Sequence, residues 1–394
     1  MPVLRFSEFS GEWDSLKLGD IAVFSKGKGI SKADINADGT FECIRYGQLY
    51  TDYSETIRDV KSRTNIPAKE LVLSEFNDII IPASGETQID IATASCVLKD
   101  GVALGGDLNI VKTDHDGVFL SYYLNSTRKY DIARLAQGIS VVHLYATQLK
   151  TLHLNLPKAN EQQKLASFLS SVDLKIEQLG KKKVLLEQYQ KGVMQKLFSQ
   201  ELRFKDDQGQ KFPDWEVKRL GEVFEERTER NSPNLEMLSV TLFNGIVLAK
   251  DLGRHDTSPS DKSKYKKVYK GDIAYNSMRM WQGASGVSKY EGIVSPAYTV
   301  ISPLGKTSST FFGYHFKLAK VIHIFQRHSQ GLTSDTWNLK FPTLSRIKFD
   351  IPSLPEQQKI ASFLTSLEQK KDLVSVELNH AKAFKKGLLQ QIFI

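Results

Sequence analysis

The chain has 394 residues, of which 41% are hydrophobic and 25% charged, and a formal charge of +8, the balance of an ordinary globular protein long enough for two domains. That composition excludes disorder, a collagen-like repeat and a disulfide scaffold, and no run approaches the roughly 20 apolar residues that a membrane helix needs. Cys43 and Cys96 form no CxxC pair and the eight histidines take no ligand spacing beside them, so no metal is expected. The first residues show no targeting segment, which leads to the expectation of a cytoplasmic protein.

The positive charge points to a polyanionic partner, but it is unevenly spread. Residues 1–156 hold 16 Lys and Arg against 20 Asp and Glu, whereas residues 201–350 hold 23 against 17. A nucleic acid therefore meets the first part through a local basic face, or other subunits supply much of the phosphate neutralisation.

In chain order, the sequence opens on a lead-in with Leu4-Arg5-Phe6, Trp13 and Leu18-Gly19. Residues 20–156 then read as mixed α/β, with strand-like runs at 78–82 and 108–111 and a short helix at 118–135. The turn Gln137-Gly138-Ile139-Ser140 comes next, and Leu152, Leu154 and Leu156 alternate as a strand does. From Pro157 the apolar period changes to steps of four and three: Leu165, Leu169, Val172, Ile176, Leu179, then Leu186. This is a heptad seam, and Pro157 with Glu161 in the first turn marks a helix start.

The order then repeats. Leu202-Arg203-Phe204, Trp215 and Leu220-Gly221 form a second lead-in. Residues 222–351 are again mixed α/β, with strands at 272–275 and 298–301, a helix at 310–326 and the related turn Gln330-Gly331-Leu332-Thr333. A second seam comprises Ile360, Leu364, Leu367, Val374, Leu378 and Leu388. Residues 157–198 and 352–393 match without a gap and share 15 identities in 42, among them Glu161-Gln162-Gln163-Lys164 with Glu356-Gln357-Gln358-Lys359. Each helix runs about 55 Å and cannot bury its stripe alone, so the two are expected to pack antiparallel as a spacer. The fold class is α+β: two pseudo-twofold-related mixed modules (1–156 and 201–351) separated by two long antiparallel coiled-coil helices (157–200 and 352–394). Because the first lead-in resembles the segment after the first helix, the arrangement is a cycle cut once, and the termini are expected to be close.

Candidate base and phosphate readers lie in the module loops. The first module offers Lys26, Lys28, Arg45, Tyr46, Gln48, Ser84, Gln88, His143 and Tyr145; the second offers Arg227, Lys264, Lys266, Asn276, Arg279, Gln282 and Trp337. Arg pairs bidentately with guanine, and Asn or Gln with adenine. Arg45, Gln48, Arg279 and Gln282 stand out because each lies in a mixed aromatic and polar loop beside a strand. Trp13 and Trp215 occupy repeated positions and read as packing anchors.

Catalytic motifs are not found. There is no GxxxxGK[ST] loop and no GxGxxG after a strand. Ser295-Pro296-Ala297-Tyr298 falls one residue short of an amino-methyltransferase motif, and Pro213-Asp214 with Glu216-Val217-Lys218 has the wrong spacing for a PD…ExK nuclease. A standalone methyltransferase or nuclease, and a coiled-coil scaffold without DNA, remain as alternatives to a recognition protein.

Two half-repeats, each a variable module followed by a long helix opening with Glu-Gln-Gln-Lys and Ala-Ser-Phe-Leu, resemble the specificity subunit of a type I restriction-modification enzyme over the whole chain. The resemblance implies two target recognition domains on double-stranded DNA, each reading half of a split sequence, with the helices setting the gap. It further implies two methyltransferase subunits docked on the helices and restriction subunits able to join. S-adenosylmethionine, ATP and Mg²⁺ then belong to those partners, and this chain is not itself an enzyme.

Overall fold

The computed structural model describes residues 2–253 and 258–393. It divides into two units, Met1–Lys181 with Ser375–Ile394, and Lys182–Val374. Each unit therefore joins one module to the start of one long helix and the end of the other. A linear cut at 156, 200 and 351 does not describe these units, because both helices continue unbroken from one unit into the next.

The first unit is built on a five-stranded sheet in the order Val23–Lys26, Leu108–Lys112, Asp78–Pro82, Ser95–Val97, Thr56–Ile57, antiparallel except for the last pair. Asp78–Pro82 is buried at every position. Ile79 and Ile81 enter the core beneath the helices while Ile80 enters a second core on the opposite face. A strand covered on both sides needs an unbroken apolar run, and Ile79-Ile80-Ile81 supplies it. The second unit repeats the first four strands in the same order as Phe224–Glu226, Tyr298–Pro303, Ile273–Asn276 and Ser285–Val287. There Ile273 and Tyr275 face one core and Ala274 the other.

The modules diverge on the second face. The first carries a three-stranded sheet of Ser62–Thr64, Phe41–Ile44 and Ala103–Leu104; the second carries the hairpin Leu238–Thr241/Gly245–Leu248 and the pair Lys266–Val268/Gly292–Val294. The single helix expected in each module is broken in two, as Gly117–Ser126 and Lys129–Leu135, and as Ser309–His315 and Ala319–His328. Asp116 and Ser308 cap the first of each pair by accepting from Phe119 N and Phe311 N. At each break a cation turns back on the module: Arg128 Nε donates to Tyr123 Oη (3.2 Å) and Lys317 Nζ to Gly283 O (2.7 Å). Helical periodicity runs through both breaks and so hides them.

The long helices span Ala159–Phe198 and Leu354–Ile392. Leu165, Leu169, Val172, Ile176, Leu179 and Leu186, and Ile360, Leu364, Leu367, Val374, Leu378 and Leu388, are all buried or half-buried. In the first unit Leu165 and Leu169 share a core with Leu388 and Ile392; in the second, Val193 and Leu197 share one with Ile360 and Leu364. Within each unit the start of one helix thus meets the end of the other, the antiparallel pairing expected from the repeat. Lys385, near the end of the second helix, forms ion pairs with Asp173 of the first helix (2.8 Å) and Glu55 of the first module (2.9 Å), which tie the helix end to both.

The repeated motifs form one latch, made twice. Arg5 grips Glu161 with Nε and Nη2 (2.7 and 2.7 Å), and Arg203 grips Glu356 in the same way (3.0 and 2.9 Å). Both carboxylates are fully enclosed, a setting in which bidentate pairing and further hydrogen bonds offset the loss of water. The next residue reaches in two directions. Gln162 Nε2 donates to Pro157 O and its Oε1 accepts from Asp116 N; Gln357 does the same with Pro352 O and Ser308 N. Lys164 and Lys359 then pair with Glu8 and Asp207. Phe6 packs edge-on to Phe168, as Phe204 does to Phe363. Trp13 meets Phe119 as Trp215 meets Phe311, each with ring centres 6.1 Å apart, so both tryptophans are packing anchors. Gly19 and Gly221 are required by close approach: a Cβ on either falls 2.9 Å from Lys150 or Ser345.

One contact inside the chain is also made between residues near its two ends. Leu202 N donates to Lys196 O (3.1 Å) across the turn that continues the chain out of the first helix. Leu4 N donates to Gln391 O (3.0 Å), the matching pair 198 positions earlier and 195 later. Phe393 packs on Phe119 and Tyr123, as Phe198 packs on Phe311 and His315. The two ends of the chain therefore meet as expected at Leu4 and Gln391, while Met1 and Ile394 themselves lie outside the described residues.

Candidate nucleic-acid interface

In both modules the turn after the central strand is tied to the loop after the second short helix by the same backbone bond. Leu144 N donates to Ala83 O (3.0 Å) in the first module, and Leu339 N to Ser277 O (2.9 Å) in the second. These are loops about 60 residues apart in sequence, and the bond fixes them as one surface.

The first module adds a short antiparallel ladder between Ser84-Gly85 and Val142-His143. Ser84 Oγ lies 3.3 Å from His143 Nδ1, His143 stacks on Tyr145 with ring centres 6.2 Å apart, and Lys26 Nζ sits 5.7 Å from the centre of the Tyr145 ring. Gln88 opens the helix Gln88–Ile91, which Thr87 caps. Lys26, Ser84, Gln88, His143 and Tyr145 are therefore brought together, and all but Ser84 and His143 are exposed. Lys28 is exposed on the adjoining strand end, where its backbone N donates to Leu104 O.

Arg45, Tyr46 and Gln48 belong to the separate core around Ile44 and Leu49. Gln48 is buried, accepts from Arg45 N (3.0 Å) and donates to Asp52 (3.1 Å) and Ser62 (2.8 Å). Its amide shapes the turn and has no face left for an adenine, a correction to the expectation for this residue. Arg45 Nε is buried without a partner among the described residues, and Tyr46 packs half-buried on the same core.

In the second module the turn is built by Asn276, whose Oδ1 accepts from Met278 N (3.0 Å), and by Trp281, whose Nε1 donates to Met278 O (3.0 Å). Trp337 meets Trp281 edge-to-face at 5.2 Å. Arg279 and Gln282 stand exposed on this turn. Asn276, Arg279, Gln282 and Trp337 thus form one patch. Lys317 supports it from below, its ammonium held by Gly283 O (2.7 Å) and Leu242 O (3.1 Å); burial pushes it down to about 8. Leu242 leads into Phe243, which is 90% exposed at the tip of the adjacent hairpin.

Two further expectations change. Arg227 is bound bidentately to the buried Asp272 (2.7 and 3.1 Å) and lies 4.6 Å over Tyr269, and Lys266 is buried beside Glu226 (3.3 Å). Both cations hold the module together and are not available to phosphates. Lys264 remains exposed beside them. The near-matches to catalytic motifs are also structural: Ala297 O accepts from Ser277 Oγ (2.7 Å) and Pro213 O from Arg203 (2.6 Å). Burial pushes the Cys43 thiol up and that of Cys96 up to about 12, a state unsuited to a nucleophile.

Ile139, Leu332, Phe243 and Lys317 were not singled out from the sequence. Apolar exposure has no local signal, although the Gln-Gly-apolar-Ser/Thr turn shared by both modules marks the first two.

The family model of the type I restriction modification DNA specificity domain matches residues 10–188 and 213–382. The chain is similar to the type I restriction enzyme MjaVIII specificity subunit of Methanocaldococcus jannaschii, 27% identical over 233 residues, which is 56% of this chain and 52% of that protein. It is also similar to the putative MjaX specificity subunit of the same organism, 24% identical over 283 residues, which is 68% of this chain and 64% of that one. These matches span about half to two thirds of the curated relatives. The fold is similar to the crystal structure of a type I restriction-modification S subunit from M. genitalium, with a TM-score of 0.64 at 18% identity, covering 100% of this chain and 99% of that one.

Proposed function

Because this chain belongs to the type I restriction modification DNA specificity family, we propose that it is a non-catalytic recognition subunit whose two modules each read one half of a split DNA sequence. The observation that carries this reading is the loop surface made twice on one scaffold. The backbone bond that fixes it is the same in both modules, while the side chains it presents differ: Lys26, Gln88, His143 and Tyr145 in one, Arg279, Gln282 and Trp337 in the other. A constant frame with divergent polar and aromatic groups suits two readers of unlike sequence.

The long helices, each continuous between a module and the next, set the separation of the two halves. Their exposed apolar residues, among them Leu174, Leu185, Tyr189, Leu373 and Phe384, are suited to docking two methyltransferase subunits, with restriction subunits joining that assembly. Those partners carry S-adenosylmethionine, ATP and Mg²⁺. A cytoplasmic location fits this role, and among the described residues no helix is long and apolar enough to cross a membrane.

Mapping methylated adenines in cells that carry the chain and its partners gives the split target. Exchanging residues 20–150 for those of a relative is expected to change one half of it and leave the other; an unchanged target overturns the reading. Arg279→Ala is expected to relax one position of the second half at a cost of about 1–3 kcal/mol. Methyl transfer or Mg²⁺-dependent cleavage by the purified chain alone would instead identify a standalone enzyme.

A further inference from the structure

Ile139 and Leu332 are each 100% exposed, at matching places in the loops that close the two recognition surfaces. Each loop is rigid. Gln137 and His143 exchange both backbone hydrogen bonds (2.9 and 2.7 Å), and Gln330 and Asn338 do the same (3.0 and 2.8 Å). Gly138 and Gly331 sit beside the tips at φ 125° and 153°. A Cβ on either would strike the opposite side of its own loop, 2.1 Å from Val141 O or 2.6 Å from Thr336 O. The apolar side chain is therefore held out in water by a frame that admits only glycine next to it. In the first loop Val141 is also half exposed.

We propose that Ile139 and Leu332 are specificity-determining residues that read thymine, each by packing on the C5-methyl group of one thymine in the half-site its module faces. An aliphatic side chain offers no donor or acceptor, so among the base edges of the major groove it is matched by the thymine methyl group, the one apolar feature displayed there. Phosphate contact is left to cations such as Lys26 in the first module, while Arg279 in the second reads a base edge beside the thymine. The polar neighbours Ser140 and Thr333 flank the tips without covering them. This assignment rests on the reading that the joined loops face DNA, and it names which base feature the tips recognise there.

The test replaces each thymine of the mapped target in turn by deoxyuridine, which removes the methyl group and nothing else, and measures the affinity of the full chain with its partner subunits. For the unaltered protein, one substitution in each half is expected to weaken binding about three- to five-fold, the worth of one buried methyl contact. Ile139→Ala should weaken binding to the natural target similarly and become indifferent to deoxyuridine in the first half alone, with Leu332→Ala giving the converse. Ile139→Val should retain the sensitivity. Both side chains are exposed, so the variants are expected to fold normally. Sensitivity that persists at every thymine in Ile139→Ala and Leu332→Ala, or variants that bind as the parent does, overturns the proposal. Arg279→Ala separates the two levels: if it relaxes the second half while the thymine test fails, the thymine assignment alone falls. If Arg279→Ala also changes nothing, the loops do not face DNA.

Discussion

Replacing Arg203 by Met tests whether the latch between the second lead-in and the second long helix holds the module in place. Glu356 is 0% exposed and accepts from Arg203 Nε, Arg203 Nη2 and Trp215 Nε1 (3.0, 2.9 and 3.1 Å). Arg203→Met leaves that carboxylate enclosed with the indole as the remaining one of these three donors. Removing one partner of a buried pair costs about 3–5 kcal/mol. The Arg203 side chain keeps 23% of its exposure at the rim, so the lower end, about 3 kcal/mol, is expected. Glu356→Gln keeps the shape and should cost about 1–2 kcal/mol through the lost charge assistance. Arg203→Met with Glu356→Leu removes both charges and should return to within about 1 kcal/mol of the parent. Native-state hydrogen exchange on the full chain reads the cost at the strand pair Glu216–Arg219/Lys348–Ile351, with Asp14–Lys17/His153–Leu156 as the internal control. A cost below 1 kcal/mol for Arg203→Met, or a double variant as unstable as the single one, would refute the reasoning.

The two tryptophans differ in one bond: Trp215 Nε1 donates to Glu356, whereas Trp13 Nε1 is buried without a partner among the described residues. Trp215→Phe should therefore cost about 1–2 kcal/mol more than Trp13→Phe in urea unfolding, and equal costs would remove the distinction. Burial pushes the His315 imidazole down to about 3, below the value of about 6.5 it takes when unfolded. Its contribution is fully present above pH 6.5 and is lost as the pH falls toward 3, by up to about 1.4 kcal/mol per pH unit. His315→Phe should flatten the acid limb of the stability curve, whereas parallel curves for parent and variant would show that another group controls it.

Much of the architecture is legible in the sequence because it is written in short-range period and in repetition. The heptad steps from Leu165 to Leu186 and from Ile360 to Leu388 announce two helices and their buried faces, and the match of Glu161-Gln162-Gln163-Lys164 to Glu356-Gln357-Gln358-Lys359 announces the duplication. The surface proposed for recognition was legible in part. Lys26, Ser84, Gln88, His143 and Tyr145 do converge, as do Asn276, Arg279, Gln282 and Trp337. For Gln48, Arg227 and Lys266 the residue type suggested a reader, but burial and intramolecular partners decide otherwise. Side-chain type is visible in a sequence; whether its hydrogen-bonding groups are already taken is not.

The sequence by itself determined that the molecule is one design used twice, with a helix after each module, since internal identity and apolar period survive without coordinates. Only the tertiary structure decided what the repeated residues do. Arg5 reaches Glu161 across 156 positions, Leu144 is bonded to Ala83 across 61, and Leu4 to Gln391 across nearly the whole chain. Such partners are brought together by the packing of the cores between them, and no local pattern of charge or hydrophobicity records a contact whose two halves lie so far apart.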